Sequence, residues 1–249
     1  MTIELEILRV WEGRRERAVD SVTEEGVFTI CLGDEELVSM LCTPRHIREL
    51  SVGFLFSSGI IHSFSEIKKH MINEKSSTVH IDLAYPQRIT YTSGCGRGVV
   101  LEVEMKPAER IQSPMRILAQ KISYLMHEFQ NKSSEFQRTG SVHSACFSDG
   151  ERILIFHEDI GRHNAIDKVI GEALIKGLDM RETILLTTGR ISTEIVHKVL
   201  RARVPIMCSR SAPTYEAVQL CREKNMTLIG FARGKRMNLY SGEERILQE

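Results

Sequence analysis

The chain has no net charge to offer a distant partner: its 249 residues carry 33 Lys and Arg against 33 Asp and Glu. It lacks the broad basic field that draws proteins to nucleic acid, so any anion site must be local. No apolar run approaches the roughly 20 residues that cross a bilayer, and no membrane partner is expected. The opening Met1-Thr2-Ile3-Glu4 has no basic segment followed by an apolar one and does not read as a secretory signal. Cysteine is sparse, with six residues at 31, 42, 95, 146, 208 and 221. There is no CxxC pair and no Cys/His set at zinc spacing, which argues against a disulfide framework and a structural metal and for reduced thiols in the cytoplasm. Internal repeats and low-complexity stretches are also missing. What remains is 42% hydrophobic and 27% charged, an ordinary globular composition long enough for one large domain or two modest ones.

Short apolar runs at Leu5 to Val10, Val27 to Leu32 and Leu37 to Cys42 predict strands, the last two as a hairpin about Gly33-Asp34. Thr43-Pro44 reads as a helix start, with a capping hydroxyl and proline in the first turn. Ile47, Leu50, Phe54 and Leu55 supply its stripe and Gly59 its stop. Ser113-Pro114 opens a second predicted helix with Leu118, Ile122, Leu125 and Phe129 at helical spacing. The polar run from Gln130 to Ser134 reads as a boundary. Beyond it strands alternate with helices: Ile153 to Phe156, Ile184 to Thr187, Val204 to Cys208 and Met226 to Phe231. That rhythm predicts an α/β sheet, largely parallel or mixed, with helices packed on it. The expected organisation is an N-terminal mixed α+β unit over 1–112, a connecting helix over 113–136 and a C-terminal α/β unit over 137–249.

Each of the last four strands is followed by an arginine: Arg162, Arg190, Arg210 and Arg233. Ligands of open α/β sheets bind beyond the carboxyl ends of strands, where helix N-termini present free N–H groups. Arginine adds a planar fork suited to phosphate, so four such loops at one edge predict a polyanion site; singly, each is an ordinary solvated loop residue. Cys95 stands in the glycine-dense Ser93-Gly94-Cys95-Gly96-Arg97-Gly98, where Arg97 can favour the thiolate. On spacing alone a tight turn enclosing a buried thiol reads the same loop slightly better, because a lone glycine-flanked cysteine is a weak motif. The other five cysteines sit in apolar contexts and read as core thiols. The run from Glu158 to Lys168, including His163, packs acids, bases and an imidazole into one strand-to-helix turn. It suits acid–base work or ligand orientation, or else capping and ion pairing. His143, after Thr139-Gly140-Ser141-Val142, is read first as a packing histidine.

The stretch from Glu158 to Gly171, EDIGRHNAIDKVIG, resembles the signature of the FdhD family of formate dehydrogenase accessory sulfurtransferases. The resemblance continues through Thr43-Pro44 to Gly59-Ile60-Ile61, Thr139-Gly140 with His143, Thr188-Gly189-Arg190, Ser209 to Thr214, and Gly230 to Arg236. It implies a homodimeric protein with a cytidine-deaminase-like, three-layer C-terminal α/β domain and a smaller mixed α+β N-terminal domain. It implies a catalytic Cys95 that receives sulfur as a persulfide from a cysteine desulfurase of the IscS type. The acceptor it implies is the bis-molybdopterin guanine dinucleotide cofactor, sulfurated for formate dehydrogenase, with guanine nucleotides as partial mimics. The cofactor-binding segment carried over by the motif is Phe231, Ala232, Arg233, Gly234, Lys235 and Arg236. Arg162, His163, Arg190, Arg210, Thr139 and His143 join it as candidate contacts. Two departures stand out: Gly98 occupies the second position of the loop where family members often have CxxC, and Ser141 replaces a usual glycine. The missing second thiol makes a cofactor-holding chaperone without sulfur transfer the alternative. A zinc-dependent amidohydrolase on the same fold would need HxE and PCxxC elements that the sequence lacks.

Overall fold

The computed structural model describes residues 2–85, 90–92, 100–102 and 108–248, the two short internal stretches as backbone only. The chain opens with a long antiparallel hairpin, β1 (Thr2–Trp11) and β2 (Arg14–Thr23). Next come β3 (Gly26–Leu32), β4 (Glu35–Cys42), helix α1 (Ile47–Ser57), β5 (Ile67–Asn73) and β6 (Thr78–Leu83). The four strands form a sheet of order β4-β3-β6-β5. Strands β7 (Thr90–Thr92) and β8 (Val100–Glu102) pair with each other. Strand β9 (Ile117–Leu118) leads into helices α2 (Ala119–Lys132) and α3 (Ser134–Thr139).

The C-terminal part contains β10 (His143–Ser148), β11 (Ile153–Asp159), α4 (Arg162–Lys176), β12 (Ile184–Thr187), α5 (Thr193–Arg201) and β13 (Ile206–Ser209). It continues through α6 (Tyr215–Glu223), β14 (Thr227–Arg233) and β15 (Arg236–Ser241), and ends with β16 (Ile246–Leu247), which pairs with β9. Its six-stranded sheet has the order β11-β10-β12-β13-β14-β15. Strands β12, β13 and β14 are parallel. Strand β10 is antiparallel to both β11 and β12, so β11 runs in the same direction as the other three. The carboxyl ends of β11, β12, β13 and β14 therefore share one edge, and β10 begins at that edge.

Alternation along the strands builds two apolar layers. Ile184, Leu186, Ile206 and Cys208 pack with Ile122, Leu125 and Phe129 of α2. Leu185, Met207 and Leu228 turn to the opposite face, toward Ile166, Ile195 and Ala217 of α4, α5 and α6. The second layer continues through Leu50 and Leu55 of α1 into the N-terminal sheet at Ile30, Val79 and Ile81. Helices α1 and α4 make that junction at close quarters. A Cβ on Gly53 would lie 1.8 Å from the Asp167 carbonyl oxygen, and one on Gly171 would lie 1.9 Å from that of Glu49.

Two helix starts differ from their sequence reading. The helix expected from Thr43-Pro44 begins at Ile47, after His46 in a left-handed conformation with φ of 54°. Thr43 is engaged elsewhere, with Asp159 and Lys168. The helix expected from Ser113-Pro114 begins at Ala119. Ser113 Oγ instead accepts a local bond from Met115 N at 3.1 Å, and Ile117–Leu118 pair with β16. Among the strands that lack an expected counterpart are β2, β5, β10, β15 and β16. The Arg14-Arg15-Glu16-Arg17 start of β2 hides its strand character under charge.

Candidate functional site

Three strand-end loops are knitted together before any ligand is considered. Arg210 N donates to Thr187 O at 3.2 Å, and Ser209 Oγ to Gly189 O at 2.7 Å. Phe231 N donates to Ser211 O at 3.1 Å, and Arg233 Nε to Arg210 O at 3.1 Å. These bonds hold the loops after β12, β13 and β14 in one surface. Against it stands the turn that follows α3. Between them lies a cavity of about 410 Å³ lined by Phe136, Gly140, His143, Thr188, Arg210 and Arg233, with Ser141, Val142 and Ser211 completing the wall.

His143 is there because β10 runs backwards through the sheet, which puts the strand's first residue level with Asp159 at the end of β11. Its Nδ1 lies 3.3 Å from Thr188 Oγ1. That hydroxyl also accepts from Ser144 N at 3.0 Å, so Thr188 ties the imidazole to the start of β10. Burial lowers the His143 pKa from its ordinary value, and Arg162 and Arg190 lower it further. The imidazole is thus neutral at pH 7, a hydrogen-bonding group on the cavity wall.

The arginines play unequal parts. Arg210 and Arg233 line the cavity. Arg162 lies behind it against Gly189, where an added Cβ would come within 2.8 Å of the Arg162 Cβ. Arg190 is exposed and touches the site through its field on His143. The Nε atoms of Arg162 and Arg210 are buried without a hydrogen-bond partner among the described residues, an arrangement that suits an anionic guest. His163 turns away and sits 3.1 Å from Glu194. Thr139 Oγ1 donates to Glu135 O at 2.8 Å and accepts from Thr23 Oγ1 at 2.9 Å, so it braces the cavity wall. Ala232 is buried in the apolar layer beneath the sheet and has only its backbone to give a ligand. Gly234, Lys235 and Arg236 are exposed in the β14–β15 turn, and Phe231 is half-buried with φ of 51°. Phe136, absent from the sequence reading, is 41% exposed on the cavity wall. A lone phenylalanine in a polar helix carries no signal until the fold sets it there.

The Glu158–Lys168 segment carries several supports, the capping and ion pairing that its sequence also allowed. Asp159 and Lys168, both fully buried, pair at 2.6 Å. Asp159 also accepts from Thr43 N and Oγ1 at 3.1 and 3.0 Å, and from Gly161 N and Asn164 Nδ2 at 2.9 Å each. Lys168 Nζ donates to Thr43 Oγ1 at 2.8 Å. Thr43 is thus the tie between the β4–α1 turn and the β11–α4 turn, which is why it does not cap α1. Asp167 accepts from Ser57 Oγ at 2.7 Å and from Lys198 Nζ at 2.5 Å. Glu158 accepts from Glu135 N and Phe136 N at 3.2 and 3.1 Å, anchoring the start of α3 and with it the Phe136 wall.

Five cysteines are buried free thiols. Burial raises all five pKa values, Cys42 to about 11 and Cys221 to about 12. They stay protonated at neutral pH and are poor nucleophiles. The sixth, Cys95, lies outside the described residues with its neighbour Arg97. Among the described residues no group of three or more His, Cys, Asp or Glu is placed to hold a metal ion. No described helix is long and apolar enough to cross a membrane. A second cavity, of about 590 Å³, sits by the start of α1, with Glu24, Glu49 and Glu74 against one Arg48, the wrong sign for a polyanion.

The FdhD/NarQ family model matches residues 23–247. This chain belongs to that family. It is 38% identical to the sulfur carrier protein FdhD of Bacillus subtilis strain 168, with 97% of this chain and 96% of that protein covered. It is 37% identical to the sulfur carrier protein FdhD of Bacillus pumilus strain SAFR-032, covering 95% and 94%. The fold matches the crystal structure of a candidate formate dehydrogenase accessory protein from Desulfotalea psychrophila with a TM-score of 0.81, at 26% identity and 99% coverage of both chains. The family's long signature therefore falls largely on the buried supports around Asp159 and Lys168, and the cavity takes its lining from elsewhere.

Proposed function

We propose that this chain is a cytoplasmic sulfurtransferase that supports formate dehydrogenase maturation, taking sulfur onto Cys95 and passing it to a bis-molybdopterin guanine dinucleotide held at the strand-end cavity. The cavity carries this reading. Its two arginines, the unpartnered buried Nε of Arg210 and the neutral histidine suit a pyrophosphate, and Phe136 offers an aromatic face to a base. On this reading the six-stranded sheet with helices on both faces is cytidine-deaminase-like, and the working protein is a homodimer. The sulfur carrier names of its relatives support the transfer role.

The first step is thiol–persulfide exchange. The Cys95 thiolate attacks the outer sulfur of a persulfide on a cysteine desulfurase of the IscS type. A new S–S bond forms on Cys95, the donor's S–S bond breaks, and the donor leaves as a thiolate with no net oxidation. Release of that sulfur as sulfide needs two electrons from a thiol. With Gly98 in place of a second loop cysteine, that thiol comes from outside the loop. The chain's own groups bind and orient the guest: Arg210 and Arg233 hold phosphate oxygens, and His143 places a neutral imidazole beside them.

Two measurements test the reading. Intact mass spectrometry after incubation with a desulfurase and cysteine is expected to show one added sulfur, missing from Cys95→Ala. Calorimetry with GDP is expected to show binding weakened roughly tenfold or more in Arg210→Ala or Arg233→Ala, the difference shrinking at high salt. Wild-type protein that gains no sulfur yet binds GDP would establish the cofactor-holding alternative. Failure to bind GDP would remove the cavity from the account.

A further inference from the structure

Helix α3 is too short to hold itself. It has six residues, and isolated helices below about 12–15 residues are marginal in water. Its own capping residue is engaged elsewhere: Ser133 Oγ donates to Phe129 O at 3.3 Å, lies 2.9 Å from Ser144 Oγ and makes no cap bond to α3. The cap comes instead from strand β11. Glu158 accepts from the second and third N–H groups of the helix, those of Glu135 and Phe136, at 3.2 and 3.1 Å. Those are the groups that a capping side chain ordinarily serves, and a carboxylate there also meets the positive end of the helix. Burial raises the Glu158 pKa from the ordinary carboxylate value, and the two N–H bonds oppose that rise.

Phe136 is held on both sides of its backbone. Its N–H goes to Glu158, and its carbonyl accepts from Gly140 N at 2.8 Å, with Gly140 in a left-handed turn at φ of 66°. Only the ring is left for a guest. Phe136 is 41% exposed on the α3 wall of the cavity, while Arg210 and Arg233 belong to the facing wall. An open aromatic face set across from guanidinium groups divides the cavity into a base half and a phosphate half. Among the described residues Glu158 does not line the cavity, so whatever it does to a guest it does through Phe136.

We infer, on the reading that this cavity holds a nucleotide, that Glu158 is a positioning residue for the base: by capping α3 it sets the Phe136 ring against the base and leaves the phosphate half untouched. Calorimetry on the full chain with GDP and with pyrophosphate separates the two halves. Phe136→Ala is expected to weaken GDP binding roughly tenfold, the loss of one stacked base. Glu158→Gln is expected to weaken it roughly threefold, the loss of the charge at the helix start. Pyrophosphate binding should be unchanged in both variants. Adding Glu158→Gln to Phe136→Ala should cost nothing further, because the cap acts through the ring. Phe136→Tyr should keep wild-type affinity for GDP. GDP that binds wild type no more tightly than pyrophosphate would overturn the inference. So would equal losses for both ligands in Glu158→Gln, or additive losses in the double variant. Each of those outcomes leaves GDP on the arginines and the nucleotide reading intact, whereas wild-type protein that binds neither ligand would overturn both.

Discussion

Thr43 shows how a residue's local sequence can misdirect. Followed by proline, it has every mark of a helix cap, yet its hydroxyl and amide serve Asp159 and its oxygens receive Lys168. A fully buried ion pair is tolerated only when its remaining valences are satisfied, and here Thr43, Gly161 and Asn164 do so. Lys168→Met should therefore cost about 3–5 kcal/mol by stranding the Asp159 carboxylate. A double Lys168→Met/Asp159→Asn variant should recover part of that loss. Urea denaturation of the two variants checks this, and equal stability of Lys168→Met and wild type would contradict the support role.

At the scale of elements, the decisive contact is helix against helix. Gly53 of α1 and Gly171 of α4 each face the other helix's backbone with no room for a methyl group. In an isolated helix, Gly→Ala stabilises by about 1 kcal/mol. Here either Gly53→Ala or Gly171→Ala must push the helices apart, at a cost of about 3 kcal/mol and roughly 6–12 °C in melting temperature. Differential scanning calorimetry measures it, and a raised melting temperature would show that the helices have slack. Strand β10 is the other decisive element. By running against its neighbours it delivers His143 to the edge where four strands end. Without that reversal the histidine would lie at the far end of the sheet.

For the molecule as a whole, one apolar layer runs from Ile30 in the N-terminal sheet and Leu50 of α1 to Leu185 and Met207 in the C-terminal sheet. An interface of that kind is apolar and closely packed, unlike the polar contacts between domains that move independently. Thermal unfolding is expected to be one cooperative transition, with calorimetric and van't Hoff enthalpies equal. Two resolved transitions would mean that the halves unfold separately.

The sequence by itself determined the parts that depend on local pattern. Apolar runs placed β3, β4 and β11 to β14 to within a few residues. The stripe through Ile47, Leu50 and Leu55 located α1, and the apolar settings of five cysteines foretold core thiols. It also marked an arginine after each of four strands, since turn chemistry and periodicity are written within a few residues of each other. Only the tertiary structure decided which of those arginines share a cavity, because strand order and direction depend on pairings far apart along the chain. It likewise decided that Phe136 forms a wall, that Thr43 ties rather than caps, and that the Glu158–Lys168 signature is mostly support. A buried charge takes its partner from whatever the fold brings within about 3 Å. For Asp159 that partner set includes a threonine 116 positions away, and no local periodicity records such a distance.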